Sequence, residues 1–129
     1  MRYFVLVAIL CIPFLLVGQH RIDLSLDVFI AKGTVLIAVY GNETDFSANE
    51  NAVQYAKVKV DKLGKYKVSI DGLKSGAYAI ALFQDVNDNE KLDTNFLGIP
   101  KEPYAFSRSP NVKWRAPRYQ EVVFELRDS

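Results

Sequence analysis

The chain has 129 residues, half of them apolar, with 16 basic against 15 acidic side chains and a formal net charge of +1. That is enough chain and apolar surface for one packed domain, and it excludes a disordered polar tail. So small a net charge also excludes recruitment of nucleic acid or an anionic membrane through a global field.

The first segment, MRYFVLVAILCIPFLLVG, carries one positive charge at Arg2 and then an apolar run over residues 3–17. The run is shorter than the ~20 residues of a membrane span, contains Pro13, and ends at Gly18-Gln19, where the chain turns polar. Residues 1–18 are read as a signal peptide with cleavage before Gln19. A retained single-pass anchor is the competing reading. Residues 19–129 are then expected to form a single β-sandwich domain, exported to the periplasm or beyond the cell, with no membrane span after cleavage. Cys11 is the only cysteine and leaves with the leader, so disulfides and thiol chemistry are excluded from the processed chain. Arg2 leaves too, and 15 basic residues then face 15 acidic ones.

Beyond the leader, strand patterns follow in order. Ile22, Leu24, Leu26, Val28 and Ile30 alternate with Asp23, Ser25 and Asp27, the period-two pattern of a strand with one wet face. GTVLIAVY follows directly, and the short connection predicts a hairpin between the two. GNETDFSANENAVQY reads as a loop with one helical turn over residues 49–54. Ala56, Val58 and Val60, then Tyr66, Val68 and Ile70, alternate with lysines or serine in two half-buried strands.

Residues 77–84 are apolar on both faces, as a central strand requires. Leu73, Gly76 and Tyr78 form an L-x-x-G-x-Y pattern. Such a tyrosine either closes a corner between strands by bonding backbone a few residues upstream or is a plain core residue. KGTVLIAVY and SGAYAIALF echo one another at Gly33/Gly76, Ile37/Ile80 and Ala38/Ala81. Residues 85–120 hold four prolines and little strand pattern, apart from a short strand predicted in PYAFS. The chain closes on EVVFEL, with Val122, Phe124 and Leu126 expected to face inward. Short strands at intervals of 8 to 12 residues, with no long amphipathic helix, predict an all-β fold, an antiparallel β-sandwich of immunoglobulin-like or transthyretin (prealbumin)-like kind.

The sharpest chemical signal is DVNDNEKLDTN. Calcium takes six to eight oxygens, and alternate residues of a loop deliver them to a common centre. Asp85, Asn87, Asn89, the carbonyl of Lys91 and Asp93 follow that spacing and are the candidate ligands of a structural calcium ion. Glu90 stands where related loops use glycine, and Phe96 where a closing carboxylate is expected, so the loop is not an EF-hand.

Catalysis has thinner support. The one histidine, His20, lies beside the expected mature N-terminus, where order is least expected, so no His- or Cys-based catalytic centre is expected. A carboxylate-dependent hydrolase of envelope glycans, drawing on two of Asp85, Asp88, Asp93 and Glu102, is the alternative. Tyr104, Phe106, Trp114 and Tyr119 interleave with Arg108, Lys113, Arg115 and Arg118, a mixture that stacks on sugars or, more simply, pins a long loop to the sandwich. Asn42-Glu-Thr44 matches a glycosylation acceptor, a pattern common by chance.

The stretch GLKSGAYAIALFQDVNDNEKLDTNFLGIPKEPYAFS resembles an uncharacterised family of exported bacterial proteins, domain of unknown function 2141. The likeness runs from near Leu24 to the final VVFEL and rests on the G-x-Y-A-I strand, the D-x-N-x-N-x-K-x-D loop and the G-I-P-K-E-x-Y-x-F-S segment. In that family the loop reads His-Asp-Glu-Asn followed by Gly-Asn-Gly; here Gln84, Val86, Asp88 and Glu90 depart from it, while the oxygen-bearing Asp85, Asn87, Asn89 and Asp93 remain. The resemblance implies a secreted or periplasmic β-sandwich and no established activity. The expectation is a non-enzymatic binding or accessory protein of the bacterial envelope, its partner an envelope protein or glycan and not nucleic acid.

Overall fold

The computed structural model describes residues 5–11, 20–97, 100–110 and 115–127. In chain order the elements are β1 (Val5–Cys11), β2 (His20–Val28), β3 (Thr34–Tyr40), α1 (Glu43–Ala48), β4 (Gln54–Lys59), β5 (Gly64–Leu73), β6 (Gly76–Asp85), β7 (Tyr104–Phe106), α2 (Tyr119–Val122) and β8 (Phe124–Leu126). One sheet has the order β1-β2-β5; the other runs β4-β3-β6-β7, with β8 also on β6. All pairings are antiparallel, and the fold is an all-β sandwich.

The period-two patterns become its inner faces. Ile22, Leu24, Leu26 and Val28 of β2 meet Val35, Ile37 and Val39 of β3, with Ile70, Tyr78, Ile80, Leu82 and Leu126 completing one core. Full burial of side chains of this size contributes roughly 1.5–3 kcal/mol each. As expected, β6 is central: β3 pairs along one edge, while β7 and β8 share the other. The echoing strands β3 and β6 are neighbours, and their matched Ala38 and Ala81 stand directly opposite one another.

The predicted hairpin between β2 and β3 does not form. β2 pairs with β5, and β3 with β4 and β6, so residues 29–33 cross from one sheet to the other. Alternation tells which face of a strand is buried, and a five-residue connection serves an arch as well as a turn. The arch is decided by a distant residue: the buried Gln84 amide donates to the carbonyls of Ile30 at 2.6 Å and Lys32 at 2.7 Å. The β4–β5 connection crosses likewise. There the Tyr66 hydroxyl accepts from the Lys62 N–H at 3.1 Å and donates to the Lys62 carbonyl at 2.7 Å.

Other local expectations shift. The helical turn lies at Glu43–Ala48 and not at residues 49–54. The Asn42 side chain caps it by accepting the Asp45 N–H at 2.8 Å, Glu43 and Asp45 load its first turn with negative charge, and Asn49 ends it in the left-handed region. The Asn42 of the glycosylation-like triplet is thus the helix cap. Val122 and Leu126 are buried as expected, but Val122 ends the helical turn α2 while β8 begins at Phe124.

Tyr78 is a corner tyrosine. Its hydroxyl donates to the Lys74 carbonyl at 2.7 Å, closing the two-residue step from β5 in one sheet to β6 in the other. Opposite Ile80, in the gap between β7 and β8, fully buried Ser107 replaces a strand: its N–H donates to the Ile80 carbonyl at 2.9 Å and its hydroxyl accepts the Ile80 N–H at 3.0 Å. The same hydroxyl donates to the Val122 carbonyl at 2.6 Å. These bonds leave neither polar group of Ile80 unpaired inside the molecule.

Candidate functional site

The Asp/Asn loop leaves β6 at Asp85, whose side chain is 1% exposed. Its carboxylate accepts the backbone N–H groups of Asn89 at 3.1 Å and Glu90 at 2.6 Å. That pulls residues 86–90 into a tight turn in which Asp88 and Glu90 have φ of 55° and 63°. Position 90 is where related loops place glycine, and here a glutamate adopts the left-handed backbone that glycine would supply without strain.

Three of the expected ligands converge. Asp93 accepts the Asn87 side-chain amide at 2.7 Å on one carboxylate oxygen and that of Asn89 at 2.8 Å on the other. These two bonds, Asn89 first, hold the Asp93 carboxyl below the usual aspartate range, with smaller help from Lys101 and Lys91. The Lys91 N–H donates to Asn89 Oδ1 at 3.0 Å, which fixes the chain direction where its carbonyl was expected to contribute. Asp85 belongs to the same turn but gives its oxygens to backbone. Among the described residues, no group of three or more His, Cys, Asp or Glu side chains is placed to hold a metal ion; the convergent set is one carboxylate and two amides.

Glu102, named from the sequence among the carboxylates a hydrolase could use, instead braces the loop. Buried, it accepts the Val86 N–H at 2.7 Å and the Asp93 N–H at 3.0 Å, so one side chain clamps both ends of the loop. The return chain is tied by Lys101 N–H to the Asp93 carbonyl at 2.7 Å and by a bridge between Thr94 and Pro100. Asp88 binds the loop sideways to β3 and β4, accepting from the Thr34 hydroxyl at 2.8 Å and from Lys59 at 3.2 Å. The Thr34 bond, then Lys59, lowers its carboxyl.

Beyond this braced base the chain holds out apolar side chains. Phe96 is 95% exposed and Leu97 68%, with Leu92 and Tyr104 also exposed. No sequence periodicity pointed to Phe96, because a single aromatic in a polar loop has no pattern to violate.

The aromatic and cationic stretch divides. Phe106 and Tyr119 pack edge-on against Phe46 at centroid distances of 6.2 and 6.0 Å, and Tyr40 joins Phe46 at 5.7 Å. These rings pin the segment and α1 to the sandwich. Arg115 pairs with both oxygens of Glu121, at 2.7 and 3.2 Å, and Arg108 donates to the Val123 carbonyl at 3.2 Å. Trp114 and Lys113 lie outside the described residues, as do residues 1–4 and 12–18 of the expected leader and Gln19 at its expected cleavage point.

His20 opens β2, is 1% exposed, and its Nε2 meets the Ser75 hydroxyl at 2.8 Å. In the strand ladder it stands between Cys11 of β1 and Leu73 of β5. Among the described residues no helix is long and apolar enough to cross a membrane.

Compared with known proteins, the chain matches no curated protein and no solved structure significantly. One family model does match, described as an uncharacterized protein conserved in bacteria, over residues 27–129. That span begins within β2 and takes in the corner tyrosine, the Asp/Asn loop, the Glu102 clamp and Ser107. The chain belongs to the family of domain of unknown function 2141.

Proposed function

We propose that this protein is an exported, non-enzymatic β-sandwich of the bacterial envelope, periplasmic or extracellular, that acts as a binding or accessory protein through the loop joining β6 to β7. The observation that carries the reading is Phe96, 95% exposed beside Leu97, three residues beyond Asp93, whose backbone N–H Glu102 holds together with that of Val86. Holding an aromatic ring in water on a braced support is unfavourable unless a partner covers it. The leader-like first segment supports export, and the envelope supplies proteins and glycans as partners.

Calcium is the proposed brace. Asp93 offers two oxygens, and a half-turn of the Asn87 and Asn89 amides replaces each NH2 with a carbonyl oxygen toward the same carboxylate, at Asn89 by giving up the bond its Oδ1 accepts from the Lys91 N–H. The Lys91 carbonyl and Asp85 complete the protein donors, Asp85 by releasing a backbone N–H. With two full charges the expected affinity is in the range of ~0.1–1 mM. At about 2 mM calcium this stabilises the fold by roughly 0.6–2 kcal/mol. The glycan-hydrolase alternative has less support: Asp88 and Asp93 are held toward the ionised form, the wrong direction for a general acid, and Asp85 and Glu102 each serve two backbone N–H groups.

Melts with calcium and with chelator test the brace: a rise in Tm that Asp93→Ala abolishes is expected, and identical melts reject it. Photo-crosslinking from position 96 in bacteria exporting the protein tests the surface. A crosslinked envelope protein or glycan is expected; none, beside working crosslinks from a control position such as Lys67, rejects the binding role.

A further inference from the structure

β2 is paired along both edges. β5 lies on one side; β1 lies on the other, in a register running from Val5 opposite Leu26 to Cys11 opposite His20. β1 falls within the expected leader. With residues 1–18 removed, this sheet is reduced to β2 and β5. Two strands are marginal for a sheet, and the freed edge is nine residues long, with no proline to block it. The pairing with β1 establishes that this edge accepts an antiparallel strand.

Resting on the export reading, we propose that in the processed protein the β2 edge is filled by β2 of a second copy, giving a two-fold dimer with one continuous sheet across the two chains. The sequence HRIDLSLDV is self-complementary in this arrangement. Centred on Leu24, antiparallel self-pairing overlaps all nine residues. On the outer face it sets Arg21 against Asp27 of the other copy, and Asp23 against Ser25, twice each. On the inner face Ile22 meets Leu26 and Leu24 meets its own copy, so both cores continue through the join.

The neighbouring registers are penalised. Sliding by two residues in one direction brings Asp23 against Asp23, and in the other Asp23 against Asp27, and like charges directly opposite are destabilising. Within one chain Arg21 pairs with Asp23 at 3.3 Å and Asp27 with Lys65 at 3.5 Å, and all four side chains are at least a quarter exposed, so Arg21 and Asp27 can turn to new partners at small cost. Asp23 already accepts a serine hydroxyl across the existing ladder, from Ser69 at 2.6 Å, which is the type of contact Ser25 of the other copy would add.

The full gene is expressed with its leader in a bacterial host, and the exported protein is measured by intact mass and sedimentation equilibrium. The expected result is a chain of processed mass that is dimeric. Arg21→Asp and Asp27→Arg should each weaken dimerisation about tenfold or more, and the double reversal Arg21→Asp/Asp27→Arg should restore it, with thermal melts verifying that each variant is folded. A processed chain that is monomeric, or a dimer indifferent to these reversals, overturns the dimer and leaves the export reading intact. A chain that retains the leader mass overturns both.

Discussion

The α-carbon of Gly33 lies so close to the carbonyl of Asp85 that a β-carbon there would come within 2.1 Å of the oxygen. Gly33 ends the arch between the sheets and Asp85 begins the Asp/Asn loop, so this contact joins the crossover that defines the sandwich to the base of the candidate site. The backbone at Gly33 also has φ of +79°, in the left-handed region.

Gly33→Ala is therefore expected to destabilise by about 2–5 kcal/mol, combining left-handed strain with a backbone overlap that no rotamer relieves. Urea unfolding measures it. A midpoint equal to that of the parent would mean that the arch does not approach the loop this closely.

Tyr78→Phe removes the hydroxyl that closes the corner at Lys74 while keeping the ring in the core. The expected cost is about 1 kcal/mol, rising toward ~3 if the Lys74 carbonyl is left without water. Thermal unfolding with unchanged near-ultraviolet circular dichroism would separate the lost bond from a repacked core.

Ser107→Ala should cost more than its size suggests, about 1–3 kcal/mol, because the Ile80 N–H loses its acceptor in a fully buried place. Native-state hydrogen exchange reads this directly: the Ile80 amide should exchange faster in the variant, with amides of β2 less affected.

The pH dependence follows from Glu121. The bidentate Arg115 contact, helped by the Arg118 N–H, holds its carboxyl at about 2 against an ordinary 4.5. A carboxyl depressed in the folded state stabilises fully above pH 4.5, and that contribution is lost as pH falls from there through about 2. Arg115→Gln should raise the Glu121 pKa toward its ordinary value and flatten this part of the pH–stability curve. Carboxyl titration by NMR checks it, and the shift should shrink in high salt because the pair is solvent-accessible.

Much of the local structure was written in the residues themselves. Two-residue alternation located the strands and their buried faces because side-chain direction in a strand depends only on neighbours in sequence. The corner was one of two readings of Leu73, Gly76 and Tyr78, since the hydroxyl reaches only four residues back. The convergence of Asn87, Asn89 and Asp93 was foreshadowed by alternate spacing. The apolar run over residues 3–17 and the absence of cysteine beyond Cys11 are equally direct readings of composition.

Tertiary structure decided the rest. Which strands pair is settled between residues far apart in sequence: Gln84 reaches back to Ile30 and Lys32 and makes an arch where a short turn had suggested a hairpin. Glu102, sixteen residues beyond Val86, clamps a loop whose own sequence gives no sign of it, and Asp85 turns from the expected ligand centre toward two backbone N–H groups. Local pattern carries the direction of a side chain. The group that will meet it belongs to another part of the chain, and only the folded arrangement brings the two within hydrogen-bonding distance.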